Sequence, residues 1–159
     1  MPSNKLTSAD NQQESLITIG WIVGYIDGEG CFCVSVIKNH TTKSGYQIFP
    51  EFVVTQGAKS LSTLELIKKY FQCGSIWVNR RHDNHKENIY RYCVRSRKDL
   101  VERIIPFFEK YSLKSAKRDD FEKFNKVIQL MNNNQHLNKN GLKKVIKIAE
   151  SMNRKVKRY

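Results

Sequence analysis

The hydrophobic pattern of this chain changes its period several times, and each change marks the start of a new element. In the first part of the chain, apolar residues and glycines recur at helical spacing. Strict alternation then predicts a strand at residues 31–38, in which Phe32, Val34 and Val36 share one face. A polar turn separates it from a second alternating segment at 47–56. The first helix is therefore followed by two strands joined by a turn.

The pattern beyond these strands predicts four helices and two further strands. Ser60 is a residue type that starts helices, and apolar residues at helical spacing follow it. In chain order we predict a helix at 61–72, strands at 75–81 and 89–96, a helix at 97–111 that Pro106 kinks or divides, a helix at 117–131, a polar linker at 132–140 and a basic helix at 141–157. This order of elements predicts an α+β fold.

The charge balance of the 159-residue chain indicates a polyanionic partner. Its 28 Lys and Arg residues against 15 Asp and Glu give a formal net charge of +13. Such a chain is attracted to nucleic acid before any specific contact forms, although a basic soluble protein or one bound to an anionic membrane shares this feature. We expect no membrane partner, because no apolar run reaches spanning length. Residues 1–14 lack the apolar centre of a signal peptide and predict a flexible arm.

The four cysteines do not form a zinc signature. Cys31 and Cys33 are followed by two isolated cysteines, Cys73 and Cys93, whereas zinc ribbons use paired C-x-x-C spacing. All four lie in apolar strand or helix patterns. We therefore expect small, reduced residues of the core or of a groove, in a reducing compartment.

Three glycines form a stripe along the C-terminal half of the first predicted helix. Gly20, Gly24 and Gly28 recur every fourth residue, which places them on one helix face. Each costs a helix interior roughly 1 kcal/mol relative to alanine, so close approach of another helix is the expected compensation. Asp27 and Glu29 lie at the C-terminal end, where the helix dipole disfavours negative charge. Their position predicts a bound cation.

Residues 22–30, IVGYIDGEG, resemble the LAGLIDADG motif of homing endonucleases, with Glu29 in place of the second acid. The alternative is an ordinary core helix that ends in a Gly-rich turn. The resemblance covers roughly residues 15–131 and implies the LAGLIDADG homing-endonuclease fold: an αββαββα core with a four-stranded antiparallel saddle sheet, plus C-terminal helices. In such a fold, the resemblance implies, the helices would pack on one sheet face and DNA would occupy the other. Residues 132–159 would add a linker and a basic helix.

The motif occurs once, and single-motif members of this family form homodimers. The resemblance therefore implies a dimer interface through Gly20, Gly24 and Gly28, and two-fold symmetry implies a nearly palindromic target. A strand of about ten residues spans about 33 Å, close to one turn of B-DNA, so two sheets would read roughly twenty base pairs. The implied activity is a metal-dependent double-strand break by an intron-encoded enzyme.

Strand alternation predicts which side chains face the major groove, although a solvated sheet face is the alternative. Gln, Asn and Arg at such positions match the usual partners of adenine and guanine. The predicted DNA-facing residues are Cys33, Ser35, Ile37, Asn39, Gln47, Glu51, Val53, Asn79, Arg81, Arg91, Cys93 and Arg95.

The catalytic assignments combine ligand chemistry with the resemblance. Glu29 is a hard oxygen ligand for Mg²⁺ or Mn²⁺, and the family motif brings the Gly28 carbonyl toward the metal. The resemblance gives Gln56 the role of orienting water and Lys117 that of the catalytic lysine. Lys114 is the alternative lysine, and Asp27 is interpreted as helix-end or interface structure. The basic residue that many members carry after the Gln56 position has only Lys59 as a doubtful counterpart.

Other functions remain open at the sequence level. The same family contains intron maturases, which bind intron RNA without needing cleavage, and a catalytically silent DNA-binding regulator would share the charge. An HNH-type nuclease would use His82, Asn84 and His85, but their spacing favours a solvated turn. Abundant Lys, Asn and Ile hint at an AT-rich genome, so we expect an intracellular protein of a chloroplast or mitochondrion.

Overall fold

The structure is a computed structural model that describes residues 8–80 and 87–153. Its helices are α1 Ser8–Glu29, α2 Leu61–Phe71, α3 Arg97–Asp99, α4 Ile105–Lys110, α5 Lys117–Asn132 and α6 Lys139–Ser151. Its strands are β1 Gly30–Lys38, β2 Tyr46–Gly57, β3 Ser75–Asn79 and β4 Ile89–Val94. The predicted order of helices and strands is confirmed within these residues.

The four strands form one antiparallel sheet in the order β1-β2-β4-β3. Residues of like parity therefore share a face across the sheet: Cys33 lies opposite Glu51, and Val53 lies opposite Cys93. Each strand contributes one set of side chains to the helices and the other set to the opposite face. The predicted α+β fold is confirmed.

An aromatic core joins the sheet to the helices. Phe32 of β1 and Phe52 of β2 stack with ring centroids 5.1 Å apart, and Phe108 of α4 meets Phe32 edge to face at 5.4 Å. Ile22 and Ile26 of α1 are fully buried in the same cluster. Aromatic pairs of this geometry add about 0.5–1.5 kcal/mol each beyond their buried area. This packing fixes the end of α1 against β1 and β2.

The first helix begins earlier than predicted, the predicted C-terminal helix is present, and residues 1–7 and 154–159 of the two predicted ends lie outside the described residues. Helix α1 begins at Ser8, so the second half of the predicted arm is helical. At the other end, α6 packs on α5 through Leu142, Val145 and Ala149, and Met152 joins the main core. Apolar residues between the lysines of α6 make it part of the core and not a separate appendage.

The predicted division of the helix at 97–111 is confirmed. A π-helical turn, Leu100–Ile104, separates α3 from α4, and Pro106 is the second residue of α4. The proline lacks an N–H and its ring clashes with the carbonyl four residues earlier, so the preceding turn widens. Ser60 precedes α2 as predicted, but its side chain makes no capping hydrogen bond.

Candidate functional site

The end of α1 brings the predicted catalytic residues together. Glu29 is the last residue of α1, and Gln56 lies near the end of β2. The Gln56 Nε2 group donates a hydrogen bond of 3.3 Å to the Glu29 carboxylate. Strand β1 begins at Gly30, directly after α1, and pairs with β2 so that Gly30 lies opposite Val54. This pairing brings Glu29 close to Gln56.

Lys117 completes this group from α5. Its Nζ donates to the Ile26 carbonyl at 3.2 Å and to the Gly28 carbonyl at 3.1 Å. Carbonyls in the last turn of a helix lack partners within the helix and form the negative end of its dipole. The Lys117 ammonium therefore places a positive charge at the end of α1. Lys114, the alternative lysine, contacts this region through its backbone N–H and not through its amine.

Asp27 ties the turn before α5 to α1. Its carboxylate accepts hydrogen bonds from the N–H groups of Lys114 at 2.8 Å and Ser115 at 3.0 Å. Burial opposes ionisation, but hydrogen bonds from Ser115 and Lys114 and the charge of Lys117 lower the pKa of Asp27. This geometry fits the predicted helix-end role of Asp27.

A metal ion fits this group of donors in part. The Glu29 carboxylate and the Gly28 carbonyl are oxygen ligands of the kind Mg²⁺ prefers. The Gly28 carbonyl also accepts a hydrogen bond from the Lys117 ammonium. Within residues 8–80 and 87–153 no cluster of three or more His, Cys, Asp or Glu side chains could hold a metal. In the described part of the chain, the oxygen ligands at the end of α1 are the Glu29 carboxylate and the Gly28 carbonyl.

The sheet face opposite the helices carries most of the predicted DNA-facing residues. Ser35 and Ile37 are exposed on β1, and Asn79 is exposed on β3. The Asn39 amide donates a hydrogen bond to Gln47 Oε1 at 3.0 Å, so these two predicted DNA-facing residues form one polar pair beside the β1–β2 turn. Arg81 and the histidines of the alternative HNH site lie outside the described residues.

Three of the predicted DNA-facing residues do not present a free side chain on this face. Val53 and Cys93, adjacent in register, are only 4% and 3% exposed. Glu51 is 7% exposed, and its carboxylate binds Arg91 Nη2 at 2.5 Å and Arg95 Nε. These findings correct the prediction that all three contact bases. Alternation placed all three on the sheet face opposite the helices, but it does not predict how much of each side chain is exposed there.

The arginines remain accessible in spite of their shared carboxylate. The side chains of Arg91 and Arg95 are 41% and 61% exposed. Glu51 raises the pKa of Arg95 through a hydrogen bond and its charge. Each arginine has further N–H groups beyond the one that Glu51 accepts. The arrangement presents two fixed cations on the sheet face.

Two exposed aromatic side chains on this face were missed. Trp77 of β3 lies opposite Arg91 and is 60% exposed, and Phe49 of β2 is exposed opposite Ser35. The signal was present in the sequence, because Trp77 has the parity of Asn79 and Phe49 that of Gln47. Exposed apolar groups on a groove-facing sheet can contact thymine methyl groups or sugars.

The Cys31 and Cys33 side chains lie on the same sheet face, and the charge of Lys117 acts on Cys31. A hydrogen bond from Cys33, opposed by burial and supported by the charge of Lys117, lowers the pKa of the Cys31 thiol to about 7. The same hydrogen bond and burial raise the pKa of Cys33. All four cysteines are free, as expected for a reduced protein.

The glycine stripe of α1 faces open space. An ideal Cβ on Gly20, Gly24 or Gly28 would meet no atom within 4 Å. Leu16 and Ile17 of the same helix are 60% and 64% exposed. With 3.6 residues per turn, these five residues fall within an arc of roughly 120°. The described part of the chain therefore leaves an apolar, side-chain-poor surface on α1 without a partner.

Comparisons with known proteins agree with this geometry. The family model described as LAGLIDADG endonuclease matches residues 22–128. The chain is 30% identical over 132 residues to the probable intron-encoded endonuclease 2 of Neurospora crassa, covering 83% of this chain and 26% of that protein. It is 28% identical over 135 residues to DNA endonuclease I-CeuI of Chlamydomonas moewusii, covering 83% of this chain and 60% of I-CeuI. The chain thus spans less than two thirds of these curated relatives.

Solved structures give the same result. The homing endonuclease I-TnaI is 41% identical with a TM-score of 0.76, over 85% of this chain and 87% of I-TnaI. I-SmaMI bound to an uncleaved DNA target with calcium ions is 38% identical with a TM-score of 0.76, over 83% of this chain and 43% of that one. I-SmaMI has also been solved with cleaved DNA. None of the described helices is long and apolar enough to cross a membrane. The sequence motif, the sheet and the family match together show that the chain belongs to the LAGLIDADG endonuclease family.

Proposed function

We propose that this chain is a sequence-specific DNA endonuclease that cuts both strands of a long, nearly palindromic site as a homodimer. One observation carries the proposal: Glu29, Gln56 and Lys117 meet at the end of the glycine-striped helix, beside a sheet face with exposed arginines. The net charge of +13 supports DNA as the partner. An open sheet face of this kind can enter the major groove.

Each residue has a distinct role in the proposed reaction. Glu29 and the Gly28 carbonyl would hold a divalent ion, Mg²⁺ or Mn²⁺, which activates water and neutralises charge on the scissile phosphate when bound. Gln56, hydrogen-bonded to Glu29, would orient the attacking water. Lys117 would place its positive charge next to the phosphate, where a preorganised cation stabilises developing negative charge.

The homodimer is supported by the surface of α1. Glycines that cost helix stability, yet face open space among the described residues, favour a helix of a second chain as their partner. A second copy would cover Leu16 and Ile17 and bring a second Glu29 to the same axis. That arrangement doubles the oxygen ligands that one chain supplies.

An organelle genome is the proposed origin of the chain. Its relatives are named as intron-encoded endonucleases, and another is a protein in ND4 intron 1 of Podospora anserina. Intron RNA, which the net charge of +13 would also attract, is the alternative ligand.

Selection from a DNA library tests the proposal. The purified protein is incubated with Mg²⁺ and palindromic duplexes with randomised half-sites, with EDTA as the control, and intron RNA is tested for binding in parallel. We expect a narrow set of sites cut on both strands in Mg²⁺ alone. Absence of cleavage in Mg²⁺ and Mn²⁺, together with tight binding of the intron RNA, would contradict the proposal and favour a maturase.

A further inference from the structure

The turn between α4 and α5 is fixed to α1 by a relay of hydrogen bonds through Ser115. The Ser115 hydroxyl donates to Asp27 Oδ1 at 2.6 Å. The same oxygen accepts the N–H of Lys117 at 3.2 Å. Ala116, at the start of α5, has no side chain that could cap this N–H. Ser115 therefore connects the carboxylate of one helix to the first residue of another.

Asp27 is suited to this task because its carboxylate accepts hydrogen bonds from both N–H groups of the turn and from the Ser115 hydroxyl. An ionised carboxylate accepts several hydrogen bonds at once, and bonds to a charged group are about twice as strong as neutral ones. The two backbone N–H groups and the hydroxyl together hold the turn in one position.

The position of this turn determines where the Lys117 ammonium lies. A lysine side chain has a flexible four-carbon stem and loses conformational entropy when it is ordered. Here the backbone of Lys117 is anchored by Ser115, and its Nζ reaches the Gly28 carbonyl at 3.1 Å. Anchoring at both ends limits the positions that the charge can adopt.

We propose that Asp27 and Ser115 are positioning residues that hold the Lys117 ammonium at the Gly28 carbonyl for the cleavage step. Neither side chain needs to touch DNA for this role. The inference rests on the proposed function of Lys117. It adds that the catalytic rate depends on an exposed serine two residues away, which acts through the lysine.

Substitution of Ser115 tests this relay. Ser115→Ala removes the hydroxyl, Ser115→Thr keeps it, and Ser112→Ala is a matched control because Ser112 lies in the same turn without a hydrogen bond among the described side chains. Single-turnover cleavage and DNA affinity are measured for each. The acylation of Lys117 relative to Lys114 is followed by mass spectrometry as a readout of ammonium placement.

We expect Ser115→Ala to slow single-turnover cleavage about tenfold or more, since small displacements of a catalytic group have large costs. DNA affinity should stay within about twofold, because the lost interaction acts on the chemical step. Lys117 should become more reactive relative to Lys114. Ser115→Thr should restore both properties, and Ser112→Ala should resemble the wild type.

Two results separate this inference from the proposed function. If Lys117→Met abolishes cleavage but Ser115→Ala cuts at the wild-type rate, the relay is wrong and the role of Lys117 stands. If Lys117→Met cuts normally, the proposed role of Lys117 fails. A Ser115→Ala protein that loses thermal stability and affinity, with no restoration by threonine, would show a general structural role and overturn the inference.

Discussion

Leucine in place of Gly24 should have opposite effects on the single chain and on the dimer. Within one chain a Cβ at this position meets no atom within 4 Å. Leucine is a better helix former than glycine by several tenths to about 1 kcal/mol, so the monomer should become slightly more stable. A monomeric protein would gain from the change.

At a two-fold interface the same substitution should be costly. Overpacking costs about 1–3 kcal/mol per site, and symmetry applies it twice, which gives roughly 2–6 kcal/mol per dimer. At 1.4 kcal/mol per tenfold change, the dimer Kd should rise roughly 30-fold to 10⁴-fold. Cleavage should fall with the dimer, because one chain carries only one Glu29.

Sedimentation over a concentration series measures the dimer Kd, and denaturant unfolding well below that Kd measures the monomer. Ser15→Leu is the matched control, since Ser15 is exposed on the opposite side of α1, nine residues before Gly24. It should leave dimerisation unchanged. A Gly24→Leu protein that forms dimers with the same Kd as the wild type and cuts both DNA strands would refute the interface.

Three further predictions concern the sheet face and the catalytic group. Lys117→Met should lower cleavage about 100-fold or more with nearly intact affinity, as loss of a preorganised cation does; a larger loss in Lys114→Met, or a weaker salt dependence of binding by about one phosphate contact, would contradict the assignment. Arg91→Ala should relax base preference at one position of each half-site by roughly 1–3 kcal/mol. Glu51→Gln should relax the same position in part because Glu51 holds Arg91, whereas a uniform loss over all sequences would mean phosphate contacts. The rate of alkylation of the Cys31 thiol by iodoacetamide should rise with pH with a midpoint at about pH 7. In Cys33→Ala this midpoint should move to higher pH, since the hydrogen bond that stabilises the thiolate is gone. Cys73, whose pKa burial raises, should react slowly in both proteins.

The glycine spacing and the strand periods predicted the order of the helices and strands because they are local signals, whereas the arrangement of the sheet came from the family resemblance. Alternation in 31–38 and 47–56 identified the two sheet faces, and the motif placed Glu29 at a helix end. The position of Lys117 came from the resemblance, and its contact with the Gly28 carbonyl 89 residues away could not be read from periodicity. The start of α1 at Ser8 could not be predicted, because the polar residues that follow Ser8 show no hydrophobic periodicity.

The charge pairing on the sheet could not be predicted for a similar reason. Glu51 meets Arg91 and Arg95 across 40 and 44 residues of sequence, and only the register of β2 and β4 brings them together. Ser115 escaped notice because its hydroxyl acts within a turn whose conformation Asp27 sets.

Replacement of one carboxylate tests the central claim most directly. Glu29→Gln should fold and bind the selected DNA site with wild-type affinity yet fail to cut it in Mg²⁺, because the amide cannot supply the anionic ligand. Glu65→Gln, an exposed carboxylate on α2, is the control and should cut normally. Cleavage by Glu29→Gln at a rate near that of the wild type would remove Glu29 from the metal site and contradict the account.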